Sequence, residues 1–332
     1  MPEGGGKMKR FFSLILLAAL LSGCAEQRVP LAPLPENAAP AQQTQISAVP
    51  ADLEAEAQAI GQIPAVSVVL EPEASGILEE RCDTAVVDYS HREDGYVMVR
   101  YFGQTDSRLK VLLKGPAVTY NYNLPRDQWT VFPLSDGNGS YELGVYRNTG
   151  GTKYAKVMSA RFEVELTDSF APFLRPNQYV NYLDAPQTLA QGAALCAGLE
   201  QPLEKVAAVY DYVVGTLCYD YDKAATVKSG YLPVLDQVLE EKKGICFDYA
   251  ALMTAMLRSQ NVPCKLVVGY AGKTYHAWIS VWTEDNGWVD GAIFFDGHVW
   301  KRMDPTFASS QARSEEIMDF IENGNYKVKY LY

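Results

Sequence analysis

The sequence predicts an α+β protein: a small antiparallel, sandwich-like β domain over residues 75–170, then a cysteine-bearing domain over 171–332 in which helices precede strands. Three observations carry this. Short runs alternate apolar and polar residues between Ser75 and Asp168. Apolar residues then recur at helical spacing from Val206 to Leu217. A further helix follows Gly244 and gives way to strands from Lys265 onward. The length of 332 residues suits two domains once tails are removed. With 48% hydrophobic and 21% charged residues, the chain is not collagen-like, coiled-coil or wholly disordered.

At the N-terminus, Lys7, Lys9 and Arg10 precede an apolar run from Phe11 to Leu21, and the small-residue exit Leu21-Ser22-Gly23-Cys24 follows. This is the pattern of a secretory signal over residues 1–23, too short to span a bilayer as a mature helix. The tetrad resembles a bacterial lipobox, which implies lipidation of Cys24 and an exported protein anchored to the cell membrane, facing outward. Residues 24–74 read as a tether. No aromatic residue occurs between Phe12 and Tyr89, and Pro30, Pro33, Pro35, Pro40 and Pro50 stand among Ala and Gln, so this stretch cannot bury enough to fold. The net charge is −11, and removal of the signal makes it −13. Such a body repels phosphate backbones, which excludes nucleic acid as a partner class.

Within the β domain, Tyr96–Phe102, Leu109–Leu113, Tyr141–Tyr146 and Ala160–Leu166 read as strands. Asp136-Gly137-Asn138-Gly139-Ser140 lacks the distal Glu of a calcium loop, since Arg147 stands there, and reads as a hairpin turn. This domain carries no chemistry of its own, and His91 receives no role.

The second domain opens at Gln201-Pro202-Leu203-Glu204, where proline suits a first helical turn, with Val206, Val209, Tyr210, Val213 and Leu217 along one face. A shorter helix runs from Pro233 and stops at Gly244. Cys246 then begins a helix whose apolar face is Tyr249, Met253, Met256 and Leu257. At a helix N-terminus, unpaired N–H groups and the dipole favour a thiolate, which makes Cys246 a candidate nucleophile. Two strands follow, Lys265–Tyr270 and Tyr275–Trp282. Period-two alternation puts His276, Trp278, Ser280 and Trp282 on one face of the second. A closing strand ends in Asp304-Pro305. Nucleophile, imidazole and carboxylate in this arrangement suit general-base activation.

In that order, the segments Gly244-Ile245-Cys246-Phe247-Asp248-Tyr249-Ala250, His276-Ala277-Trp278 and Asp304-Pro305-Thr306 resemble the three signatures of the transglutaminase-like superfamily. Arg258 through Pro263 and Val268-Gly269-Tyr270 resemble the helix end and strand between them. The resemblance covers about residues 200–310. It implies a papain-like α+β core with Cys246 as nucleophile, His276 as base and Asp304 as orienting carboxylate. One departure is an insertion from Gly287 through Gly297, hairpin-like, which makes Asp290 a rival for the third role; Asp290 before Gly291 reads as a turn. His298, beside that glycine turn, reads as a solvated loop residue. Tyr219 and Tyr221 are candidates for an upstream oxyanion donor beside the Cys246 N–H.

Cys82, Cys196, Cys218 and Cys264 permit disulfides without indicating any, and no pair has zinc-ligand spacing. No metal and no cofactor are expected. The expected chemistry is acyl transfer through a Cys246 thioester on protein or peptide amide groups, ending in crosslinking or hydrolysis. The alternative is a non-catalytic surface binding module built on a degenerate domain of the same kind.

Overall fold

Alternating burial sets the architecture of the first folded part. The structure is a computed structural model, which describes residues 67–284, 287–290, 293–295, 300–302 and 326–332. The signal, Cys24, most of the tether, His298 and Asp304 lie outside these residues. Strands β1 (Glu79–Arg81), β2 (Ala85–Asp88), β3 (Tyr96–Tyr101) and β6 (Thr130–Pro133) form one antiparallel sheet. Strands β4 (Leu109–Lys114), β5 (Thr119–Asn123), β7 (Gly139–Gly150) and β8 (Lys153–Val164) form another, in the order β5-β4-β7-β8. Leu109, Val111 and Leu113 of β4 are buried at every second position, as are Tyr120 and Tyr122 of β5. They pack with Val97, Val99 and Phe132 of the facing sheet, and the Tyr122 and Phe132 rings meet edge to face at 4.9 Å. This is the expected sandwich.

The Asp136–Ser140 turn differs from expectation in what it joins. It links β6 of one sheet to β7 of the other, so it is an intersheet connection and no hairpin. Its polar groups serve the fold. The Asp136 carboxylate accepts from the backbone N–H groups of Ala117 and Val118 at 3.0 and 2.7 Å and from the Tyr120 hydroxyl at 2.9 Å.

The hydrophobic core continues from the sandwich into the helices. Helix α1 (Pro186–Leu195) was not legible as a helix in the sequence, because its apolar stripe is thin. Its first turn is capped from elsewhere: Asp236 accepts from the N–H groups of Gln187 and Thr188 at 3.0 and 2.8 Å. Helix α2 (Pro202–Thr216) buries Val206, Val209, Tyr210 and Val213, the expected face. A two-residue strand β9 (Cys218–Tyr219) and a short helix α3 (Tyr221–Thr226) follow. Helix α4 (Leu235–Glu241) stops at Lys242, which takes the left-handed conformation at φ 51°, and not at Gly244. Gly244 belongs to β10 (Lys243–Gly244), which pairs in parallel with β9.

Helix α5 (Cys246–Ser259) is buried on every side from Asp248 to Ser259, where a single apolar face was expected. A helix enclosed by α1, α2, α4 and a sheet has no solvent face to keep polar. That sheet has the order β13-β12-β11-β16, from β13 (Gly287–Asp290), β12 (Thr274–Thr283), β11 (Cys264–Ala271) and β16 (Tyr326–Leu331). All its pairs are antiparallel. Arg258, 1% exposed, ties the end of α5 to this sheet by donating to the carbonyls of Cys264 at 2.9 Å and Tyr332 at 2.6 Å. In the inserted segment, β14 (Ile293–Phe295) pairs with β15 (Trp300–Arg302), in keeping with a hairpin-like excursion.

Gly269 shows how tightly this sheet is set. It stands at a register shift between β11 and β16, and a Cβ there would lie 2.0 Å from the Lys327 carbonyl oxygen and 2.9 Å from the Trp278 ring. Backbone cannot yield as a side chain does. Gly269→Ala is therefore expected to destabilise by about 2–4 kcal/mol, read as a lower urea midpoint with an unchanged slope. A midpoint equal to wild type would show that β16 is free to move.

Candidate active site

The nucleophile candidate owes its position to local capping. Ile245 is the N-cap of α5, with extended backbone and no side-chain acceptor, so the N–H groups of the first turn receive nothing from it. Only the reciprocal half of a capping box exists: the Asp248 carboxylate accepts from the Ile245 N–H at 2.8 Å. Cys246 is thus the first helical residue, at the positive end of the dipole. Its side chain is half-buried, whereas Cys264 is fully buried and its thiol is pushed up to about 11 by desolvation. Exposure distinguishes a thiol that can meet a substrate from one that packs.

Gly244 explains the spacing from glycine to cysteine to aspartate. A Cβ on Gly244 would lie 2.6 Å from the Asp248 Cβ and 3.0 Å from its carboxylate oxygen. Only glycine lets the carboxylate fold back against the chain that enters the helix.

His276 is 5% exposed and stands near the start of β12, opposite Gly269. Ala277, Ile279 and Val281 of the same strand join the hydrophobic core, and the His276 ring lies 6.2 Å from that of Trp278 between centres. The neighbouring Tyr275 links the two elements. Its hydroxyl is pushed up to about 12, first by burial of that end, then by Tyr330, Tyr179, Tyr270 and finally the Cys246 thiol. The Tyr275 side chain therefore lies within electrostatic range of the Cys246 thiol.

The carboxylate candidates are placed differently. Asp290 ends β13 opposite Ser280, so it belongs to a strand and not to the expected turn. Ser280 is four residues beyond His276 on β12, roughly 13 Å along the strand at about 3.3 Å per residue. That separation exceeds the span of a carboxylate–imidazole hydrogen bond. Asp304 lies outside the described residues. Of the oxyanion candidates, Tyr219 is in register with Gly244, two residues before Cys246, while Tyr221 is 70% exposed with its ring 5.0 Å from that of Tyr219.

Lys223 and Tyr231 went unnoticed in the sequence. Both touch Asp248, which is 0% exposed: the Lys223 ammonium lies 2.8 Å from its carboxylate, and the Tyr231 hydroxyl donates to the other oxygen. Only the Asp248 position in the motif hinted that an acidic group was needed there. Cys82, Cys196, Cys218, Cys246 and Cys264 are all free thiols. A groove of about 540 Å³ beside Trp129 contains none of the candidate residues.

Residues 188–291 match the core of the transglutaminase-like superfamily, a span that includes Cys246, His276 and Asp290 and ends before Asp304. Among curated proteins, the chain is 26% identical over 182 residues to the uncharacterized protein YebA of Bacillus subtilis (48% of this chain, 24% of that one). It is 25% identical over 98 residues to a protein-glutamine gamma-glutamyltransferase of Pseudomonas aeruginosa (25% of this chain, 13% of that one). The chain thus spans a quarter or less of the length of these relatives. The periplasmic domain of TgpA from Pseudomonas aeruginosa, solved with ethylmercury bound, is similar with a TM-score of 0.32 and 16% identity, over 75% of this chain and 80% of that one. With its Gly-Ile-Cys helix laid against the His-Ala-Trp strand inside the matched span, the region 188–291 belongs to the transglutaminase-like superfamily.

Proposed function

We propose that this protein is an exported, membrane-anchored thiol acyltransferase or amidase that acts on protein or peptide amide groups through a thioester on Cys246. The observation that carries the reading is a half-buried thiol on the first residue of a buried helix, inside the superfamily core. His276, near the start of the strand packed on that helix, takes the thiol proton. The thiolate attacks a carboxamide carbon. The C–N bond breaks, the proton passes from the imidazole to the leaving nitrogen, and ammonia or an amine departs. An incoming amine or water then attacks the thioester carbonyl, loses its proton to His276 and breaks the C–S bond. Uncapped N–H groups at the start of α5 suit the tetrahedral oxyanion, with Tyr219 as a further donor. Asp304 orients the imidazole.

Intact-mass measurement after incubation with glutamine-containing peptides tests this. The expected product is a hydroxylamine-sensitive adduct on Cys246 equal in mass to the peptide less ammonia. Absence of any adduct across peptide and amine-donor libraries, with Cys246 inert to iodoacetamide, would favour the binding module.

The anchoring half of the proposal rests on the signal-like N-terminus. Cys24→Ser is expected to abolish incorporation of labelled palmitate in cells and to release the body from the membrane fraction. Membrane association that persists without the lipid would remove the lipoprotein reading.

A further inference from the structure

Asp248 poses an electrostatic problem for a thiol nucleophile. It sits two residues after Cys246, in the same first helical turn, and its carboxylate is fully buried. An anion there opposes the formation of a second anion on the thiol. The structure answers this with a cation brought from another element. Lys223, on α3, places its ammonium 2.8 Å from Asp248 Oδ2, with its side chain 26% exposed. The same ammonium lies 4.4 Å from the centre of the Tyr231 ring, and the Tyr231 hydroxyl donates to Asp248 Oδ1. Tyr231 also packs edge-on against Phe247, the residue that follows the thiol, at 6.2 Å.

Lys223 is itself held in place. Asp220 caps α3 by accepting from the Lys223 N–H at 2.9 Å, and the Asp220 carboxylate pairs with Lys243 at 3.2 Å. The Asp220 N–H donates to the Gly244 carbonyl at 2.8 Å. The segment from Asp220 to Tyr231 is thereby tied to the chain on both sides of Cys246. Burial and the hydrogen bond to Asp248 raise the Tyr231 phenol, so it remains a donor.

We propose that Lys223, Asp248 and Tyr231 are positioning residues that act together. Asp248 fixes the entry of the chain into α5, and Lys223 cancels its charge so that the Cys246 thiolate can form. This rests on Cys246 being the nucleophile.

The test is the rate of iodoacetamide alkylation at Cys246 in the full chain near neutral pH, followed by peptide mass mapping. Lys223→Met is expected to slow alkylation roughly ten-fold, because it leaves the buried carboxylate uncompensated. Lys223→Arg should retain most of the rate. Adding Asp248→Asn to Lys223→Met should restore it to within about two-fold of wild type, since the opposing anion is gone. A purely structural role predicts that Lys223→Met is slowed at every pH, whereas charge compensation predicts that its rate returns toward wild type as the pH is raised. Failure of the double variant to recover, or a wild-type rate in Lys223→Met, overturns the proposal while leaving the thiol-enzyme reading intact. An inert wild-type Cys246 overturns both. If Lys223→Met does not fold, Asp248→Asn alone decides: an alkylation rate equal to or above wild type supports the proposal, and a slower one overturns it.

Discussion

Cys246→Ala and His276→Ala are each expected to abolish adduct formation with glutamine peptides, with turnover falling to the uncatalysed background. Members of a nucleophile–base pair act as a unit, so loss of either removes nearly the whole covalent route, and the two losses do not add. The folded state should tolerate both changes. Cys246 is half-buried at a helix start, and trimming it leaves the Asp248–Ile245 cap in place. His276 is more enclosed, at 5% exposure beside Trp278, so its removal leaves more space. Costs of no more than about 2 kcal/mol are expected for each. The measurement is intact mass alongside urea unfolding. Near wild-type turnover by either variant, with the fold preserved, would end the enzyme reading.

The second large effect concerns the third group. Asp304→Asn preserves side-chain size but removes the charge that stabilises an imidazolium, and it can favour the wrong tautomer. In Ser-His-Asp enzymes the change costs roughly 10⁴-fold in turnover. A thiol is more acidic than a hydroxyl and depends less on its base, so a loss of about 10–10³-fold is expected here. Asp290→Asn is expected to change turnover by less than about three-fold, because β-strand register puts Asp290 opposite Ser280, four residues from His276. Turnover of both variants under one glutamine peptide decides between them. A large loss in Asp290→Asn with none in Asp304→Asn would mean that the inserted segment carries the carboxylate.

Elements governed by local pattern were legible in the sequence. The β4 alternation, the α2 stripe from Val206 to Val213, and the Cys246 helix start each depend on neighbours within a few residues. Strand β16 was missed although Tyr326, Val328 and Tyr330 alternate, because its partner β11 lies more than fifty residues upstream and nothing local announces the pairing. Helix α1 was missed for a similar reason: its cap is Asp236, some fifty residues downstream.

The sequence by itself determined the α+β class, because periodicity is written along the chain, and it marked the candidate nucleophile and base through segments that resemble the superfamily signatures. Tertiary structure alone decided that α5 is enclosed on all sides and that Asp290 falls opposite Ser280. It also decided that Lys223 and Tyr231 meet on the Asp248 carboxylate. Each of these is a meeting of residues far apart in sequence. Charge compensation of a buried group acts over a few ångströms of space, and no pattern along the chain encodes which distant cation will supply it.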